Sequence, residues 1–585
     1  MNREDMDDVR RDLRQLTAER TRWEAHWRDL CDYILPHRGR FPENGRGPDD
    51  GTERMDKVVD STAYRARRIL ASGLQSGLTS PSRPWFKLGI SDPDLSRRQE
   101  VKTWLSEVEN RMREALSQSN FYNAIHALYE ELSAFGTGVL YAEAGGTPGS
   151  AGVNGQNMGR AQARNHSQSG PRGPFGQSAQ ITQELNRGLR FQALTVGEYF
   201  LSVNMDGDID TLYRRFTMPA RAMAQRFGAE ALSDSARTAL AANPYKHLEV
   251  VHLVRPRRAG SRTMLPFESV HFEQAAPGGE VLADSGYSEF PYMVARWDVS
   301  GWDSYGRGPG MVVLPDVKML QELAKDRLKA VKKAVDPPLT MPATLKDRVK
   351  TFPGGLNYVD AAGHLAARPL YQISPDMGSL AVSIEDTRSA IKDGFFNDLF
   401  LMLAMSRSAQ PVTAREIAER HEEKLLVLGP VIERLHSELL SPLIDRVFGL
   451  LFASGRLPVP PRELAGRRIK TEYISTLSQA QKMVGTQSIE AVTAFVGNVA
   501  RMHPEALDKI DLDQVVDRYA DLLGAPSEII RSDEDVTRLR TNREEARQLA
   551  QRQETAQAVA RGARDLARTP TTGQNALTSL TGQEG

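Results

Sequence analysis

The sequence has little of what disulfide-stabilised, metal-binding and membrane-spanning proteins depend on. Its single cysteine, Cys31, rules out a disulfide within the chain and any metal cluster built on cysteine, which suits a reducing compartment. No apolar run comes near the roughly 18 residues that a membrane-spanning helix needs. The first residues, MNREDMDDVRRDLRQL, are charged throughout, unlike a signal peptide. We therefore expect a protein that is assembled in the cytoplasm and has no membrane partner.

The common signatures of enzymes are also missing. No glycine is followed by a lysine, so the phosphate-binding Walker A loop is absent, and no G-x-S-x-G elbow marks a serine hydrolase. The segment GRGPG at 306–310 has the wrong spacing for a dinucleotide loop, and its glycines and proline favour a flexible joint. We therefore predict no catalytic residue, no cofactor and no metal.

Two partial metal motifs have simpler structural interpretations. The segment DGDID at 206–210 imitates the start of a calcium loop, but threonine occupies the sixth and twelfth positions, where glycine and glutamate belong. His421 and Glu422 begin the helical zinc-protease motif, but Leu425 stands in place of the second histidine. The first segment is interpreted as a hairpin turn and the second as a solvated helix face. Cys31 lies among large apolar residues, which favours a buried packing thiol.

Charge is balanced over the whole chain but unevenly distributed. The 75 basic and 75 acidic residues cancel, so no global field attracts nucleic acid or a membrane. Seven of the sixteen lysines nevertheless fall within residues 318–350, a window with nine basic and four acidic residues. Such a run is usually a solvated helix face, but a subunit repeated around an axis would turn each lysine into a ring of positive charge.

The N-terminal part has the periodicity of helices. Apolar residues recur every three, four or seven positions from Val9 to Ile34, which indicates an amphipathic helix that Pro36 ends. Similar patterns predict helices at 60–78, 98–117 and 120–135. Residues 144–180 are rich in Gly, Ser, Gln and Asn and almost lack large apolar side chains, so we expect a mobile loop there.

The period changes to that of strands from 189 to 298, with a turn at Asp206-Gly207, and then returns to that of helices. Helical patterns cover 311–335 and 378–403, with a strand-and-turn piece between them. The residues Thr413 and Glu416 form a capping box, which starts a long helix that should bend at Gly429-Pro430 and at Pro442. A charged, alanine-rich helix covers 532–569. The fold class is therefore α+β and mainly α.

The helix predicted at 311–335 has two distinct stripes. Its apolar side chains lie on one stripe, and four lysines lie on a second stripe about a third of a turn away. These lysines are Lys318, Lys325, Lys329 and Lys332. They are the candidate basic stripe of the chain.

Five segments carry a family resemblance. They are LASGLQSGLTSPSRPWFKL (70–88), NFYNAIHALYEELSAFGTGVLYAE (120–143), DGDIDTLYRRF (206–216), SYGRGPGMVVLPDVKMLQELAKDRLKAV (304–331) and PVTAREIAERHEEKL (411–425). Together and in this order they resemble the portal, or head-to-tail connector, proteins of short-tailed, podovirus-type double-stranded DNA phages. The resemblance spans residues 15 to 530.

The resemblance implies a map of the chain onto the portal fold. The wing would occupy 1–305, with the mobile loop 144–180 and the β-containing layer 189–298. The first stem helix would occupy 306–338, the clip 339–375, the second stem helix 376–403, the tunnel loop 404–413, the long kinked wing helix 414–455 and the helical crown 456–531. The C-terminal helix and polar tail, 532–585, would form a barrel or stay disordered.

The resemblance also implies partners and a place. The chain would form a homo-oligomeric ring of twelve subunits at one capsid vertex of the virion, with double-stranded DNA passing through it without sequence readout. It would dock the terminase large subunit, contact the scaffolding and major capsid proteins, and later hold tail adaptor proteins. The tunnel loop would present Ser406, Arg407, Ser408 and Gln410 to the DNA, because a small and weakly charged loop guides a duplex without holding it.

Three points stay open in the sequence. The lysine stripe could face the tunnel or the outer surface. A DNA-packaging or nucleic-acid-processing enzyme is an alternative function, although the missing Walker loop and the lack of a carboxylate cluster weigh against it. A capsid or tail structural protein without a channel is a third possibility.

Overall fold

The computed structural model describes residues 3–41, 52–92, 95, 98–144, 188–258, 265–274, 280–335, 339–340, 368–369, 377–405, 427–464, 467, 469–523, 531 and 533–568. The chain divides into two compact units. The larger comprises residues 1–91 and 103–485, and the smaller comprises residues 92–102 and 486–585. The mobile loop predicted at 144–180, most of the clip, residues 406–426 and the polar tail lie outside the described residues, apart from Ala144.

Helices dominate the described part of the chain, as the periodicity predicts. The α-helices are α1 (Arg3–Tyr33), α2 (Thr52–Met55), α3 (Thr62–Leu78), α4 (Gln99–Gln118), α5 (Phe121–Phe135), α6 (Ala220–Phe227), α7 (Asp234–Ala242), α8 (Pro309–Val335), α9 (Met377–Gly394), α10 (Asn397–Met405), α11 (Ser441–Ala453), α12 (Thr476–Ala500), α13 (Leu512–Leu523) and α14 (Asp533–Arg568). Short 3₁₀ helices lie at Ala229–Ala231, Arg462–Leu464 and Pro504–Lys509. No helix in these ranges is long and apolar enough to span a membrane.

The strands form small antiparallel sheets. They are β1 (Phe86–Ile90), β2 (Thr137–Ala144), β3 (Leu189–Leu194), β4 (Tyr199–Val203), β5 (Ile209–Pro219), β6 (His247–Pro256), β7 (Phe267–Glu273), β8 (Val281–Tyr287), β9 (Tyr292–Arg296), β10 (Leu339–Thr340), β11 (Arg368–Pro369) and β12 (Ile469–Tyr473). One sheet has the order β4-β5-β6-β7-β8 and another has the order β3-β2-β9. The β-containing layer predicted at 189–298 is therefore present. The fold class of the chain is α+β and mainly α, as predicted.

The five-stranded sheet is covered on both faces. Val9 of α1 lies in one buried cluster with Val251, whereas Met223 of α6 lies in a second cluster with Val250 and Leu282. Adjacent residues of a strand point to opposite faces, so Val250 and Val251 serve the two clusters separately. This double coverage explains why β6 is almost continuously apolar at its centre.

The turn between β4 and β5 confirms the interpretation of DGDID as a hairpin. The Oδ1 atom of Asn204 accepts hydrogen bonds from the backbone N–H groups of Asp206 and Asp208, both at 2.9 Å. Gly207 has a φ of +86°, which glycine adopts without strain. The acidic side chains of this segment therefore belong to a tight turn.

Three strands, β1, β2 and β12, were not predicted from the sequence. Residues 469–473 form β12, which pairs antiparallel with β1, so that Phe86 lies opposite Tyr473 and Ile90 opposite Ile469. The pairing joins segments almost 400 residues apart, and the alternation in five residues is too short a signal. It places residues 456–475 in the larger unit, although the sequence map assigns them to the crown.

The helix predicted at 378–403 is wrong as a single element. The structure has two helices, α9 and α10, separated at Phe395 and Phe396. Phe396 has a φ of +55°, a left-handed conformation that interrupts an α-helix. Phe395 is fully buried and Phe396 contacts Trp297. Tertiary packing of two adjacent aromatic rings thus overrides the helical periodicity.

A change in hydrogen bonding marks the long helix before Pro442. Residues 427–435 are α-helical, His436–Leu440 form a π-helical turn, and α11 follows. The N–H of Ser441 donates to the carbonyl of His436, five residues earlier. Because Pro442 has no N–H and its ring crowds the preceding turn, the regular pattern cannot continue there. The structure thus has a π-helical turn next to Pro442, whereas the bends at Gly429-Pro430 and at Pro442 stay predictions.

The smaller unit is held partly by exposed polar contacts. Arg540 of α14 donates to both carboxylate oxygens of Asp513 on α13, at 2.6 and 2.8 Å. The hydroxyl of Tyr519 donates to Glu490 of α12 at 2.7 Å. Several large apolar side chains of this unit stay exposed, among them Phe495 and Val559.

Candidate functional site

The candidate site is the antiparallel helix pair α8 and α9, together with the elements that fix it to the rest of the larger unit. Pro309 begins α8, and the acidic and basic residues of the lysine window follow along it. Gly394 at the end of α9 lies against Val313 near the start of α8, where a Cβ atom would have no room. The two helices therefore run in opposite directions, with the end of α9 level with the start of α8.

The apolar stripe of α8 changes from buried to exposed along the helix. Val313, Val317 and Leu320 are buried. Further along, Leu328 is 52% exposed and Val335 is 80% exposed. The first half of the stripe thus packs within the subunit, and the second half has no cover from the described part of the chain.

A buried polar cluster joins α8 and α9 to the start of α3. The side chain of Gln321 accepts from the N–H of Asp60 at 2.9 Å and donates to the carbonyl of Asp60 at 2.9 Å. The carboxylate of Asp60 accepts from Arg388 of α9 at 2.8 Å and from the N–H of Thr62 at 2.8 Å. We call Asp60, Gln321 and Arg388 the stem clasp.

The electrostatics of the stem clasp favour an ionised Asp60. Burial raises the pKa of this carboxyl group, but hydrogen bonds from Thr62 and Arg388 outweigh burial and hold the pKa below its ordinary value. Sequence reasoning missed the clasp, because neither Asp60 nor Gln321 lies in a motif. Only the fold brings residues 60, 321 and 388 together.

The helix α10, which precedes residues 406–413 of the predicted tunnel loop, is anchored on α3. Its Phe400 side chain lies directly against Gly73, where a Cβ atom would overlap the ring. Gly77, one turn further along α3, is filled in the same way by Leu477. The two glycines form a groove on α3 that accepts large apolar side chains. This groove fixes the position at which the chain leaves α10.

The four lysines of the candidate stripe all lie on α8, and three of them have acidic partners in the same subunit. Lys318 contacts Asp29 of α1 at 2.7 Å. Lys325 contacts Glu322 at 2.8 Å, and Lys329 contacts Asp326 at 3.0 Å. Lys332 is exposed. The stripe therefore has mixed charge rather than the uniformly positive charge that the lysine count suggests.

The predicted tunnel-loop residues and the predicted helix cap lie outside the described residues. They are Ser406, Arg407, Ser408, Gln410, Thr413 and Glu416. The His421 and Glu422 pair also lies outside. Their roles stay predictions from the sequence.

The GRGPG segment is a tight joint, so its interpretation as a flexible joint is wrong. The backbone of Gly306, Gly308 and Gly310 lies directly on the backbone at the end of α5, around Ala134 and Gly136. A Cβ atom at Gly308 would lie 2.7 Å from the Cα atom of Gly136. Glycine is required here for close approach of two backbones. The joint sets the position from which α8 starts.

An ion pair ties the π-helical turn to the β-layer. Arg296 of β9 donates to both oxygens of Glu438, at 2.7 Å from Nη2 to Oε1 and 3.2 Å from Nε to Oε2. The same guanidinium group donates to the carbonyl oxygens of Asp303 and Gly207, at 3.3 and 3.0 Å. The π-helical turn places Glu438 on this network. A planar guanidinium group suits such convergent acceptors.

The buried carboxylate of Glu131 lies on α5, the helix that the GRGPG joint contacts. Burial raises the pKa of Glu131 to about 7, although Arg38, the Thr195 hydroxyl and the N–H of Val196 all favour its charged form. The nearest guanidinium nitrogen of Arg38 is 3.7 Å from the carboxylate, too far for a full hydrogen bond. The group therefore stays costly to ionise.

Replacing Glu131 with glutamine should stabilise the larger unit above neutral pH. Because the pKa of Glu131 is raised from 4.5 to about 7 on folding, wild-type stability falls as pH rises from 4.5 to 7 and then stays low. The full cost corresponds to about 3 kcal/mol. Denaturant unfolding at pH 5 and pH 8.5 should show a gain for Glu131→Gln that is small at pH 5 and close to the full cost at pH 8.5.

Two controls isolate the effect of Glu131. Glu114→Gln, at an exposed position of α4, should change the free energy of unfolding at neither pH. The buried His252 and His271 have lowered pKa values, because burial and the nearby Arg226 and Arg214 disfavour their charged forms. Their protonation destabilises the fold at low pH in both proteins, so it cancels in the difference between variant and wild type. A gain of equal size at pH 5 would contradict the assignment.

No group of three or more histidine, cysteine, aspartate or glutamate side chains within the described ranges could hold a metal ion. Cys31 is buried, as the sequence predicts, and burial raises the pKa of its thiol. The geometry of the helix pair is that of a structural element that is clamped at one end and exposed at the other.

Comparisons with known proteins identify relatives of this chain. Residues 6–164 and 165–530 match the family model described as bacteriophage head to tail connecting protein. The chain is 37% identical over 583 residues to the portal protein of Salmonella phage epsilon15, which covers 98% of this chain and 97% of the relative. It is 36% identical over 576 residues to the probable portal protein of Bordetella phage BPP-1, with 97% and 96% covered.

Solved structures with some similarity come from gene transfer agent particles. A chain of the native particle matches with a TM-score of 0.33 and 12% identity, over 77% of this chain and 92% of that chain. A chain from the neck of the empty particle matches with a TM-score of 0.31 and 12% identity, over 82% and 96%.

Proposed function

Because the chain belongs to the bacteriophage head-to-tail connecting protein family, we propose that it acts as the portal of a double-stranded DNA phage, the channel through which the genome enters and leaves the capsid. The observation that carries this function is a match at 37% identity over 98% of the chain to a portal protein. It is a component of the virion, at the junction of head and tail. The alternatives of a processing enzyme and a channel-free structural protein have no observation in their favour.

The working assembly is a ring. Twelve copies would close around an axis at one capsid vertex and leave a hole for duplex DNA, after assembly in the host cytoplasm. The terminase large subunit would dock on this ring during packaging, scaffolding and major capsid proteins would contact it during capsid assembly, and tail adaptor proteins would replace the motor later. A closed ring of identical subunits needs only one type of interface between neighbours.

The described elements suit distinct parts of that ring. The helix pair α8 and α9 would form the stem, and residues 339–375 the clip, which includes the short antiparallel pairing of Leu339 with Pro369. The segment after α10 would form the tunnel loop, and the helix through the π-helical turn would be the kinked wing helix. Residues 456–531 would extend into the crown, and α14 would lie beyond it.

The protein would have no catalytic role of its own. Energy for DNA movement would come from the partner ATPase, and the ring would act as a conduit and a docking platform. A DNA-dependent ATPase or nuclease activity in the purified protein would support the enzyme alternative instead. Images of the purified full-length chain should show rings with an axial hole, and a solitary subunit or a closed particle under all assembly conditions would overturn the proposal.

The tunnel loop provides a functional prediction. Replacing Ser406 and Ser408 with arginine should slow DNA passage, because each arginine that contacts a phosphate increases the affinity for DNA. Each such contact also makes log K fall by about 0.9 for every tenfold rise in salt concentration. Packaging rates in vitro should fall at low salt and recover as salt is raised. Gln at both positions adds length without charge and serves as the matched control. Equal packaging rates for the arginine variant and the control at every salt concentration would contradict a DNA-facing loop.

A further inference from the structure

Two rows of opposite charge lie on the helix pair and do not meet within the subunit. On α8, Lys318, Lys325 and Lys332 are spaced seven residues apart. On α9, Asp386 and Asp393 are also seven residues apart, and both are exposed. Seven residues are almost two full helical turns, so each set forms a row along one side of its helix.

The acidic row has no partner in the described part of the subunit. Asp386 and Asp393 make no side-chain hydrogen bond or ion pair with any residue there. Glu385, which lies around the helix between the buried side of α9 and the acidic row, instead contacts Arg388 and Lys392. The row lies on the side of α9 opposite the buried Ile384 and Ile391. It is therefore presented outward from the helix pair.

The two rows have matching positions along the stem. Val313 of α8 is level with Gly394 of α9, and Gln321 is level with Arg388, because both contact Asp60. By this register, Lys325 lies within about three residues, or roughly 4.5 Å along the axis, of the level of Asp386. Lys318 has the same offset from the level of Asp393. Antiparallel helices with equal spacing can thus pair both rows at once.

Exposed apolar side chains accompany the lysine row. Leu328 and Val331 of α8 are 52% and 43% exposed, and Val382 of α9 is 60% exposed. An aliphatic surface of this kind is typical of a protein–protein interface. It makes no favourable contact with the phosphate backbone of DNA. Glu322 and Asp326 also interleave with the lysines, so this face of α8 carries mixed charge.

We propose that the lysine row of α8 docks on the aspartate row of α9 in the adjacent copy of this chain. The proposal rests on the ring of the proposed function. Copies related by rotation about one axis lie at the same height, so the α9 helix of a neighbour meets α8 in the register given above. The intrahelical pairs of Lys325 and Lys329 are exposed and weak, so they leave these lysines free to reorient. The stripe then faces neither the tunnel nor the outer surface.

Two complementary charge reversals test the proposal on the full-length chain. The first variant carries Lys318→Glu and Lys325→Glu, and the second carries Asp386→Lys and Asp393→Lys. Each variant alone places like charges at every interface, so we expect the fraction of rings to fall at least about tenfold at a fixed concentration. A mixture should restore rings, because variants that alternate around the ring pair opposite charges at every interface. Native mass spectrometry should then show equal numbers of the two variants in each ring.

Controls separate the possible failures. Asp29→Asn removes the charge that contacts Lys318 within the subunit but keeps both rows, so it should assemble like wild type. Arg221→Glu, Arg237→Glu and Lys246→Glu together change charge on exposed positions of the β-layer and should also assemble. If either double variant has a lowered Tm, the single pair Lys325→Glu and Asp386→Lys repeats the mixing test at exposed positions.

Three outcomes would overturn the docking proposal. The first is normal ring formation by the lysine variant alone. The second is normal rings that lose DNA, which would place the lysines in the tunnel. The third is failure of the mixture to form rings while wild type does. Absence of rings in the wild-type protein would instead contradict the proposed function.

Discussion

Gly136→Ala should destabilise the larger unit by more than about 4 kcal/mol and prevent ring formation. Gly136 ends α5 with a φ of +73°, and a Cβ atom there would lie 2.6 Å from the carbonyl oxygen of Gly306 and overlap the backbone of Arg307 and Gly308. Backbone atoms cannot swing aside as a flexible side chain can. Thermal unfolding followed by circular dichroism, with particle size from light scattering, measures both effects.

Gly455→Ala is the matched control for this prediction. Gly455 follows the end of α11 with a φ of +70°, almost the same as that of Gly136, but nothing lies within 4 Å of the position of its Cβ atom. Only the left-handed strain of about 1 to 2 kcal/mol should appear. Equal losses in the two variants would show that conformational strain, and not the contact with the GRGPG segment, sets the requirement for glycine at Gly136.

Arg296→Met should cost about 3 to 5 kcal/mol in free energy of unfolding, because it leaves the carboxylate of Glu438 without its charged partner and with only the backbone N–H of residue 296 from this strand. Arg296 is 5% exposed and its guanidinium group serves Glu438 and two backbone carbonyls at once. Methionine fills much of the same volume, so lost packing contributes little. Denaturant unfolding of wild type and variant gives the difference directly.

A double variant separates the cost of the unpaired charge from the worth of the pair. Arg296→Met combined with Glu438→Leu removes both charges and should recover a large part of the loss, since an apolar pair of similar volume replaces a buried ion pair well. The double-mutant cycle then gives the coupling energy. A double variant that is less stable than Arg296→Met would contradict the explanation by an unpaired charge.

Both predictions concern contacts that hold α8 and the π-helical turn to the rest of the larger unit. The GRGPG joint fixes the start of α8 against α5, and the Arg296 and Glu438 pair fixes the π-helical turn before α11. The stem clasp adds a third attachment, between α3, α8 and α9. Rigid attachment at these points would let a ring hold its channel open while DNA passes through it.

The amino-acid sequence by itself determined the local elements with long periodic patterns. The helices α1, α3, α4, α5 and α8 and the hairpin at Gly207 lie where the pattern and the breakers predict them. Periodicity and turn chemistry act between neighbours in the chain, so a single sequence contains the necessary information. The family could likewise be recognised from five short segments, because their order is specific.

Tertiary contacts decided what neighbours in the chain could not. The break at Phe396 depends on the burial of Phe395, and β12 exists because β1 offers it an edge. The glycines of the joint resemble a flexible segment until the backbone of α5 is placed against them.

The lysine row shows the same division. The lysines lie on one side of a helix because they are spaced seven residues apart, and this spacing can be read directly from the sequence. The charge balance of the row depends on Asp29 beside Lys318 and on Glu322 one turn before Lys325. Its level beside Asp386 depends on the register of two helices. Distances between segments far apart in the chain are set by packing, so only the folded subunit could decide them.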